Sequence, residues 1–404
     1  AGNCSFQSVS NHAKSWPQTF GNVPMNRSAL IIARPALAAF AAMGVVWGCF
    51  AAVLPDLKTM LDIDESRLGM VIFLTPVAAV LSMLAAPAIG ARLGRVALPV
   101  ATMLMALAFV LPGQATSLWL FPLAMMFCGA GTGLTDVLMN ARVSTMENDS
   151  GLHLMTLSHA AYSFGYAGSA VATGALRTLD WSPAWIMASM ALAAAILAIG
   201  SIEKDGTITG LHRPKGIGAG RLGMVPVIGG GIVLIAFLTE NAAENWSALH
   251  IEQTLGGSPA HGSLGPAAIA LTMGIARIAG QGLVQRLGAM WLLSGGALVA
   301  ALGALGAALA TTTTAAYAGF TVMAIRSSLI APTAFSLVGR LSAPEARARA
   351  VARATLLGYF GYFFGPPMLG IMAGSFGLPA AFVFAAAMLA GIPVLGAMMI
   401  QRRG

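Results

Sequence analysis

The feature that most constrains this chain is a succession of apolar stretches, each about twenty residues long, separated by short breaks rich in charged or turn-forming residues. A helix needs about 20 apolar residues to cross the ~30 Å hydrocarbon core of a bilayer. Charged residues make up only 9% of the chain, whereas soluble domains carry about 25%. The sequence therefore predicts an integral membrane protein. The stretches are too long and too uniformly apolar for barrel strands.

The breaks delimit twelve predicted membrane helices and a central hydrophilic connector. The first six spans lie at 36–55, 68–90, 96–113, 118–142, 154–175 and 184–201; the second six lie at 224–247, 264–285, 290–310, 315–338, 350–373 and 379–400. The connector at 202–223 is charged and glycine-rich, which is typical of a linker between two bundles. The predicted domains are residues 29–201 and 224–404.

The first residues differ in character from the rest of the chain. Residues 1–28 are largely polar and lack the apolar core of a signal peptide. We expect a disordered extension here, and we interpret Met25 as the natural start because the first span follows it closely.

Basic residues are distributed unevenly between alternate connectors. With the N-terminus inside, seventeen of the 22 lysines and arginines fall in cytoplasmic segments, and only Lys58, Arg67 and Arg177 fall outside. The positive-inside rule therefore predicts that both termini are cytoplasmic. The basic residues are scattered among short loops, so the net charge of +8 does not indicate a nucleic-acid partner.

Short matches recur between the two halves at a nearly constant offset. Residues 92–94 and 286–288 both read Arg-Leu-Gly after the second span of each half, and residues 164–166 and 360–362 both read Phe-Gly-Tyr. Together these matches indicate a duplication. Parallel repeats related by an axis along the membrane normal are one arrangement of transporters.

This layout resembles the major facilitator superfamily over nearly the whole chain. The six-plus-six arrangement, the central loop and the basic turns after spans two and eight carry the resemblance. The positions that match the family's turn, Gly-x-x-x-Asp-Arg-x-Gly-Arg, are Arg92, Gly94, Arg95, Arg286 and Gly288. The resemblance implies a cytoplasmic gating role for these turns. Ala91 and Gln285 stand in the aspartate position, so the family's gating ion pair is not expected.

Two further segments, 135–140 and 240–247, resemble a little-characterised bacterial branch of this superfamily. Its members are described only as permeases. The resemblance implies an all-α inner-membrane protein, with twelve helices arranged as two pseudo-symmetric six-helix bundles.

Ionisable residues inside predicted spans are the candidates for function, because each costs at least ~2.5 kcal/mol at membrane depth. Asp136 and Asn140 share a face of span four, and His159 enters span five from the same side. The three are predicted to meet in a polar cluster that binds protons or substrate. The alternative is a structural lock between the two helices, and for His159 alone we favour this alternative.

Span seven is the most polar helix in the chain. Glu240 and Glu244 share one face, and Asn241 begins the adjacent one. We interpret Glu240 as a site for substrate or proton coupling. Glu244 fits a solvated helix end equally well, and we expect Trp246 to anchor the helix at the membrane interface.

Two arginines lie within the later spans. Arg326 falls near mid-membrane, where an isolated guanidinium is costly. It is predicted to pair with Glu240 or with an anionic substrate, although a structural ion pair is the alternative. Arg277 lies nearer the inner surface, and we interpret it as structural.

Four tyrosines are expected around a central cavity if the family's helix arrangement holds: Tyr162, Tyr166, Tyr359 and Tyr362. Such rings suit stacking on a sugar or aromatic solute, although helix packing explains them as well.

These features predict a secondary active transporter, coupled to protons and working by alternating access. No phosphate-binding loop indicates ATP, and no catalytic or metal-binding spacing indicates an enzyme or a cofactor. Export of a small solute is favoured, and uptake of a sugar-like solute is the alternative. A transporter-like receptor or scaffold is the alternative from another class. A monomer is expected.

Overall fold

A computed structural model describes residues 27–152, 154–209, 222–280, 288–343 and 346–401, and this part of the chain is helical without strands. The helices of the first half are α1 (Arg27–Leu61), α2a (Glu65–Ile72), α2b (Leu74–Leu93), α3 (Ala97–Ala108), α4 (Leu120–Ser150), α5 (Met155–Thr178) and α6 (Pro183–Gly200). Those of the second half are α7 (Val225–Leu249), α8 (Pro259–Gly280), α9 (Ala289–Ala308), α10a (Thr313–Ser327), α10b (Ile330–Leu341), α11 (Arg347–Phe376) and α12 (Leu378–Gln401).

These helices make twelve membrane crossings, as the sequence predicts. Within the described residues, ten helical stretches are long and apolar enough to span a membrane, and one of them, Glu65–Gln114, contains both the second and the third crossing. The remaining crossing is α5, which is long enough at 24 residues but carries many polar side chains. The chain is therefore a multi-pass membrane protein.

Several helices extend further than their apolar stretches. The first helix begins at Arg27, nine residues before the predicted span, and thus also inside the segment predicted as an extension; residues 1–26 lie outside the described part of the chain. Helix α4 continues to Ser150, eight residues past its predicted end. Apolar periodicity marks only the lipid-facing length of a helix, so polar ends that project beyond the bilayer are missed.

The two halves form pseudo-symmetric six-helix bundles that repeat the same pairings. In the first, α1 packs on α5 and α6, α2b packs on α4, and α3 packs on α4 and α6. In the second, α7 packs on α11 and α12, α8 packs on α10a, and α9 packs on α10a and α12. The predicted all-α, two-bundle fold is confirmed.

The bundles meet where α5 packs against α8 and α2a packs against α11. The second contact is close because Gly69 has no side chain: a Cβ there would lie 2.3 Å from the carbonyl oxygen of Pro366. Nearby, the Ser66 hydroxyl donates to the Gly370 carbonyl at 3.3 Å. Small residues allow such approach where lipid removes the hydrophobic force between helices. We call the end with the α1–α2 turn the α1–α2 end, and the end with residues 202–209 the linker end.

Large apolar side chains cover the outer surface. Leu84, Trp119 and Trp291 are exposed over 68%, 86% and 81% of their areas. Water would make so broad an apolar surface unfavourable, whereas a bilayer solvates it.

Candidate functional site

A central cavity of about 340 Å³ lies between the two bundles. Its walls come from α1, α2a, α2b, α4 and α5 of the first bundle and from α7, α8 and α11 of the second. The charged, amide and aromatic residues that line it are Phe40, Trp47, Asp136, His159, Tyr162, Phe237, Glu240, Asn241, Glu244, Asn245, Arg277, Tyr359 and Tyr362. A cavity shared by two bundles can be exposed to either side if the bundles rock against each other.

Helix α7 supplies the acidic and amide wall. Glu240 and Glu244 are one turn apart, as are Asn241 and Asn245, and all four line the cavity. The interpretation of Glu244 as a solvated helix end is wrong, because α7 reaches Leu249 and continues as a π-helical turn over His250–Thr254. Glu244 therefore lies well inside the helix.

The predicted interfacial position of Trp246 is also wrong. This side chain is 1% exposed and belongs to the apolar core. The same extension of α7 explains the difference, because residue 246 lies inside the continuous helix and not at its end.

The guanidinium of Arg277 forms an ion pair with Glu240 at 3.1 Å inside the cavity. The side chains are only 24% and 15% exposed. The sequence predicted Arg326 as the partner of Glu240, and this is corrected. Both partners lie in the second bundle, on α7 and α8, so the pair itself does not join the bundles.

Arg326 does not line the cavity. It lies one residue before the end of α10a, and the helix is interrupted between Ser327 and Ile330. The negative end of a helix dipole favours a cation at this position. Within the described residues its side chain makes no ion pair.

Asp136 of α4 connects the two bundles through a hydrogen bond. The Tyr359 hydroxyl of α11 donates to one carboxylate oxygen at 3.5 Å, and the Asn140 amide donates to the other at 3.1 Å. The same amide donates to the Asp136 carbonyl at 2.8 Å. Asn140 therefore supports the carboxylate from behind and does not itself line the cavity.

The aromatic residues are divided between the cavity wall and the packing behind it. His159 lines the cavity and meets the Phe40 ring edge-on at 5.0 Å. Tyr162, Tyr359 and Tyr362 also line it, whereas Tyr166 is 1% exposed and packs behind Tyr162.

Besides Phe40, two further aromatic wall residues were not predicted from the sequence. Phe237 stacks on Tyr362 with ring centroids 4.7 Å apart, and Trp47 donates from its indole nitrogen to the Thr132 hydroxyl at 3.2 Å. Both lie in apolar runs, where a ring that faces a cavity cannot be distinguished from one in the core.

A second ionic cluster, also missed, joins the bundles at the α1–α2 end. Arg177 at the end of α5 donates to both carboxylate oxygens of Glu252 at 2.6 and 2.9 Å, and to those of Asp56 at 2.5 and 2.7 Å. It also donates to the Ala52 carbonyl at 2.9 Å. The Arg177 side chain is 1% exposed. The sequence placed Arg177 only in an outer loop.

The basic turn after α2b is exposed. Arg92 closes α2b, Gly94 has a φ of 59°, and Arg95 follows in a short 3-10 turn. In the second half, Gly288 has a φ of 77° before α9, and Arg286 lies outside the described residues. The backbone explains the two glycines, because a positive φ strains other residues.

The beginning of the linker is fixed on α4. Arg142 pairs with both carboxylate oxygens of Glu203 at 2.8 Å and donates to the carbonyls of Asp205 and Thr207, also at 2.8 Å. The Thr207 hydroxyl and backbone N–H donate to Asp205 and lower the pKa of its carboxyl.

Sequence comparison relates the chain to known membrane proteins. The sequence profile of the Major Facilitator Superfamily matches residues 229–404. An uncharacterised MFS-type transporter of Yersinia pestis is 27% identical over 349 residues, which cover 85% of this chain and 89% of the relative. The resemblance to the major facilitator superfamily is confirmed. Within it, the resemblance to a little-characterised bacterial branch is confirmed.

Solved structures of major facilitator proteins share the fold. A bacterial homologue of the human lysosomal transporter Spinster, inward-facing and occupied, matches with a TM-score of 0.72 at 13% identity, over 93% of this chain and 97% of that one. A D-xylose–proton symporter matches with a TM-score of 0.69 at 17% identity, over 92% and 97%. Together, the family profile and the Yersinia pestis relative indicate a membrane transporter of a small molecule rather than an enzyme.

Proposed function

We propose that this protein is a proton-coupled secondary active transporter that moves a small solute across the bacterial inner membrane by alternating access. One observation carries the proposal: a cavity shared by both bundles contains the carboxylates of Asp136, Glu240 and Glu244. A carboxylate at membrane depth can load and release a proton, and charged groups there tend to mark transport pathways.

The ionic cluster at the α1–α2 end supports a conformation closed on that side. Arg177 holds Asp56 and Glu252 together across the bundles, and Gly69 contacts Pro366 on the other flank. The positive-inside bias of the sequence supports a cytoplasmic position for the linker end. In this proposal the structure corresponds to a state that admits solute and protons from the cytoplasmic side.

Export is the direction that we propose. If a proton and the solute compete for the same carboxylates, an inward proton gradient drives the solute outward. Uptake of a sugar-like solute is the alternative, in which proton and solute bind together. One solved structure with the same fold is a D-xylose–proton symporter, and its name states that the solute is coupled to a proton.

The test uses proteoliposomes loaded with a defined mixture of amines, sugars and organic acids. After a pH gradient is imposed, mass spectrometry measures which solutes leave or accumulate. We expect at least one solute to move against its gradient with the wild type. Asp136→Asn or Glu240→Gln should still equilibrate the solute without concentrating it. Gradient-driven accumulation that survives in both variants would refute the assignment of the proton sites.

Counterflow separates a transporter from a receptor or scaffold of the same fold. Vesicles preloaded with the unlabelled solute should take up a labelled trace of it transiently. Binding without counterflow would contradict the transport proposal.

A further inference from the structure

The central cavity carries an excess of formal negative charge. Among the described residues, three carboxylates line it, against one guanidinium. That guanidinium, on Arg277, already pairs with Glu240 at 3.1 Å. The pair is close to neutral as a unit, so the carboxylates of Asp136 and Glu244 determine the charge that the cavity presents to a solute.

Neither of these two carboxylates forms an ion pair within the described residues. In the described part of the chain, Asp136 accepts hydrogen bonds only from the neutral groups of Asn140 and Tyr359. Glu244 forms no ion pair and no hydrogen bond with any described side chain. An unpaired carboxylate at membrane depth is costly, so it favours binding either a proton or a cation.

Two buried acceptors that line the same cavity also lack partners among the described residues. Asn241 and Thr75 line the cavity, are 8% and 4% exposed, and leave Oδ1 and Oγ1 without a hydrogen bond. A buried polar atom without a partner costs about 1–3 kcal/mol in proteins. A ligand that donates several hydrogen bonds would satisfy both atoms.

Aromatic rings form much of the remaining wall. Phe237 contacts Tyr359 and stacks on Tyr362 on one side, and Trp47 and Phe40 line the other. Ring faces attract cations and pack well against an apolar body.

We propose that the solute is a small organic cation, whose ammonium group binds Glu244 and Asp136 and whose apolar or aromatic body packs against these rings. The inference rests on the proposed transport function and names its substrate class. The ionisable groups that face the cavity are Asp136, Glu240, Glu244, His159 and Arg277, together with three tyrosines. When the cation binds, a carboxylate releases its proton to the water on that side, so one proton exchanges for one cation.

The binding test compares three probes with the same phenyl body: 2-phenylethylammonium, 2-phenylethanol and 3-phenylpropanoate. Thermal shift and calorimetry measure their binding to the purified full chain at neutral and at acidic pH. We expect the ammonium probe to bind roughly tenfold tighter than the alcohol at neutral pH, and the carboxylate probe to bind weakest. Acid should weaken the ammonium probe alone, because its own charge does not titrate and protons compete with it.

A charge-matched pair of variants tests the role of Glu244. Glu244→Gln should lower affinity for the ammonium probe roughly tenfold and leave the alcohol unchanged, which also shows that the variant is folded. Asp149→Asn removes the same charge at an exposed position outside the cavity and should change neither. Equal binding of the three probes, preference for the carboxylate, absence of binding by the ammonium probe, or an unaffected Glu244→Gln would each overturn the proposal.

The same probes in proteoliposomes separate this inference from the transport function. If an acid or a neutral solute moves with the gradient and the ammonium probe does not, the protein is a transporter of another substrate class. The transport proposal then stands and the inference about organic cations fails. If the ammonium probe binds tightly and no solute moves, the cavity is a cation site in a protein that does not transport. The transport proposal then fails.

Discussion

Arg177 and Glu252 join the two bundles through a pair of hydrogen bonds at 2.6 and 2.9 Å. Asp56 holds the same guanidinium from the first bundle. A buried guanidinium that loses its carboxylates is strongly unfavourable, so this cluster stabilises the state in which the bundles touch at the α1–α2 end.

Removing this guanidinium should open the α1–α2 end. Arg177→Ala leaves two carboxylates facing each other, and the closed state should lose about 3 kcal/mol relative to the open one. The reporter is Ser263→Cys, in a background without Cys4, Cys49 and Cys128, because Ser263 is fully buried beside Gly174 at the contact between the bundles. An impermeant thiol reagent should label it faster in the Arg177→Ala variant.

The control for this experiment is Arg67→Ala, which removes an exposed charge at the same end. It should leave labelling of the cysteine unchanged. Unchanged labelling in Arg177→Ala would show that the cluster does not restrain the bundles.

The ion pair between Glu240 and Arg277 predicts a favourable coupling energy between the two side chains in a double-mutant cycle. Either Glu240→Gln or Arg277→Gln leaves one charge without its partner, and should cost about 2 kcal/mol of stability. The double variant should recover part of that loss, because it leaves no isolated charge. Thermal unfolding in detergent measures all four proteins. Additive losses would mean that the two groups do not interact.

The close contact of Gly69 with Pro366 predicts that no side chain is tolerated at residue 69. A Cβ would lie 2.3 Å from a backbone oxygen, which cannot rotate away, so Gly69→Ala should destabilise the closed state by about 1–3 kcal/mol. The matched control is Gly168→Ala on α5, where a Cβ meets nothing within 4 Å. That change should be neutral or stabilising by up to about 1 kcal/mol, because alanine favours a helix.

Melting temperatures of the two alanine variants provide the measurement. The prediction concerns their order: the Gly69 variant should melt below the wild type, and the Gly168 variant should not. The reverse order would contradict the close packing of α2a on α11.

Arg142 clamps the linker to α4 through hydrogen bonds to residues 203–207. We therefore predict that removing its guanidinium makes this segment sensitive to proteases. Arg142 makes four hydrogen bonds to residues 203–207, so Arg142→Met should release this segment from α4. Limited proteolysis should then cut it faster, since a freed backbone fits a protease site. Arg95→Met, at an exposed position, is the control. Equal cleavage of both variants and the wild type would mean that the clamp does not hold the segment.

Much of the fold could be predicted from the order of residues alone. The length and spacing of the apolar stretches determine twelve crossings, because a bilayer admits helices whose backbone groups are satisfied internally. The repeated turns after spans two and eight indicate the paired bundles. Cavity residues such as Asp136, Glu240 and Glu244 can also be recognised in the sequence, because charged residues are rare in apolar spans.

Only the tertiary structure decided which of these groups meet. Arg277 rather than Arg326 pairs with Glu240, because the rotation and depth of α8 and α10a depend on packing against their neighbours. Arg177 reads as a loop charge in the sequence, yet it is buried between carboxylates that lie 121 and 75 residues away. Helix formation and insertion depend on local composition, whereas these contacts depend on how helices far apart in the chain pack together.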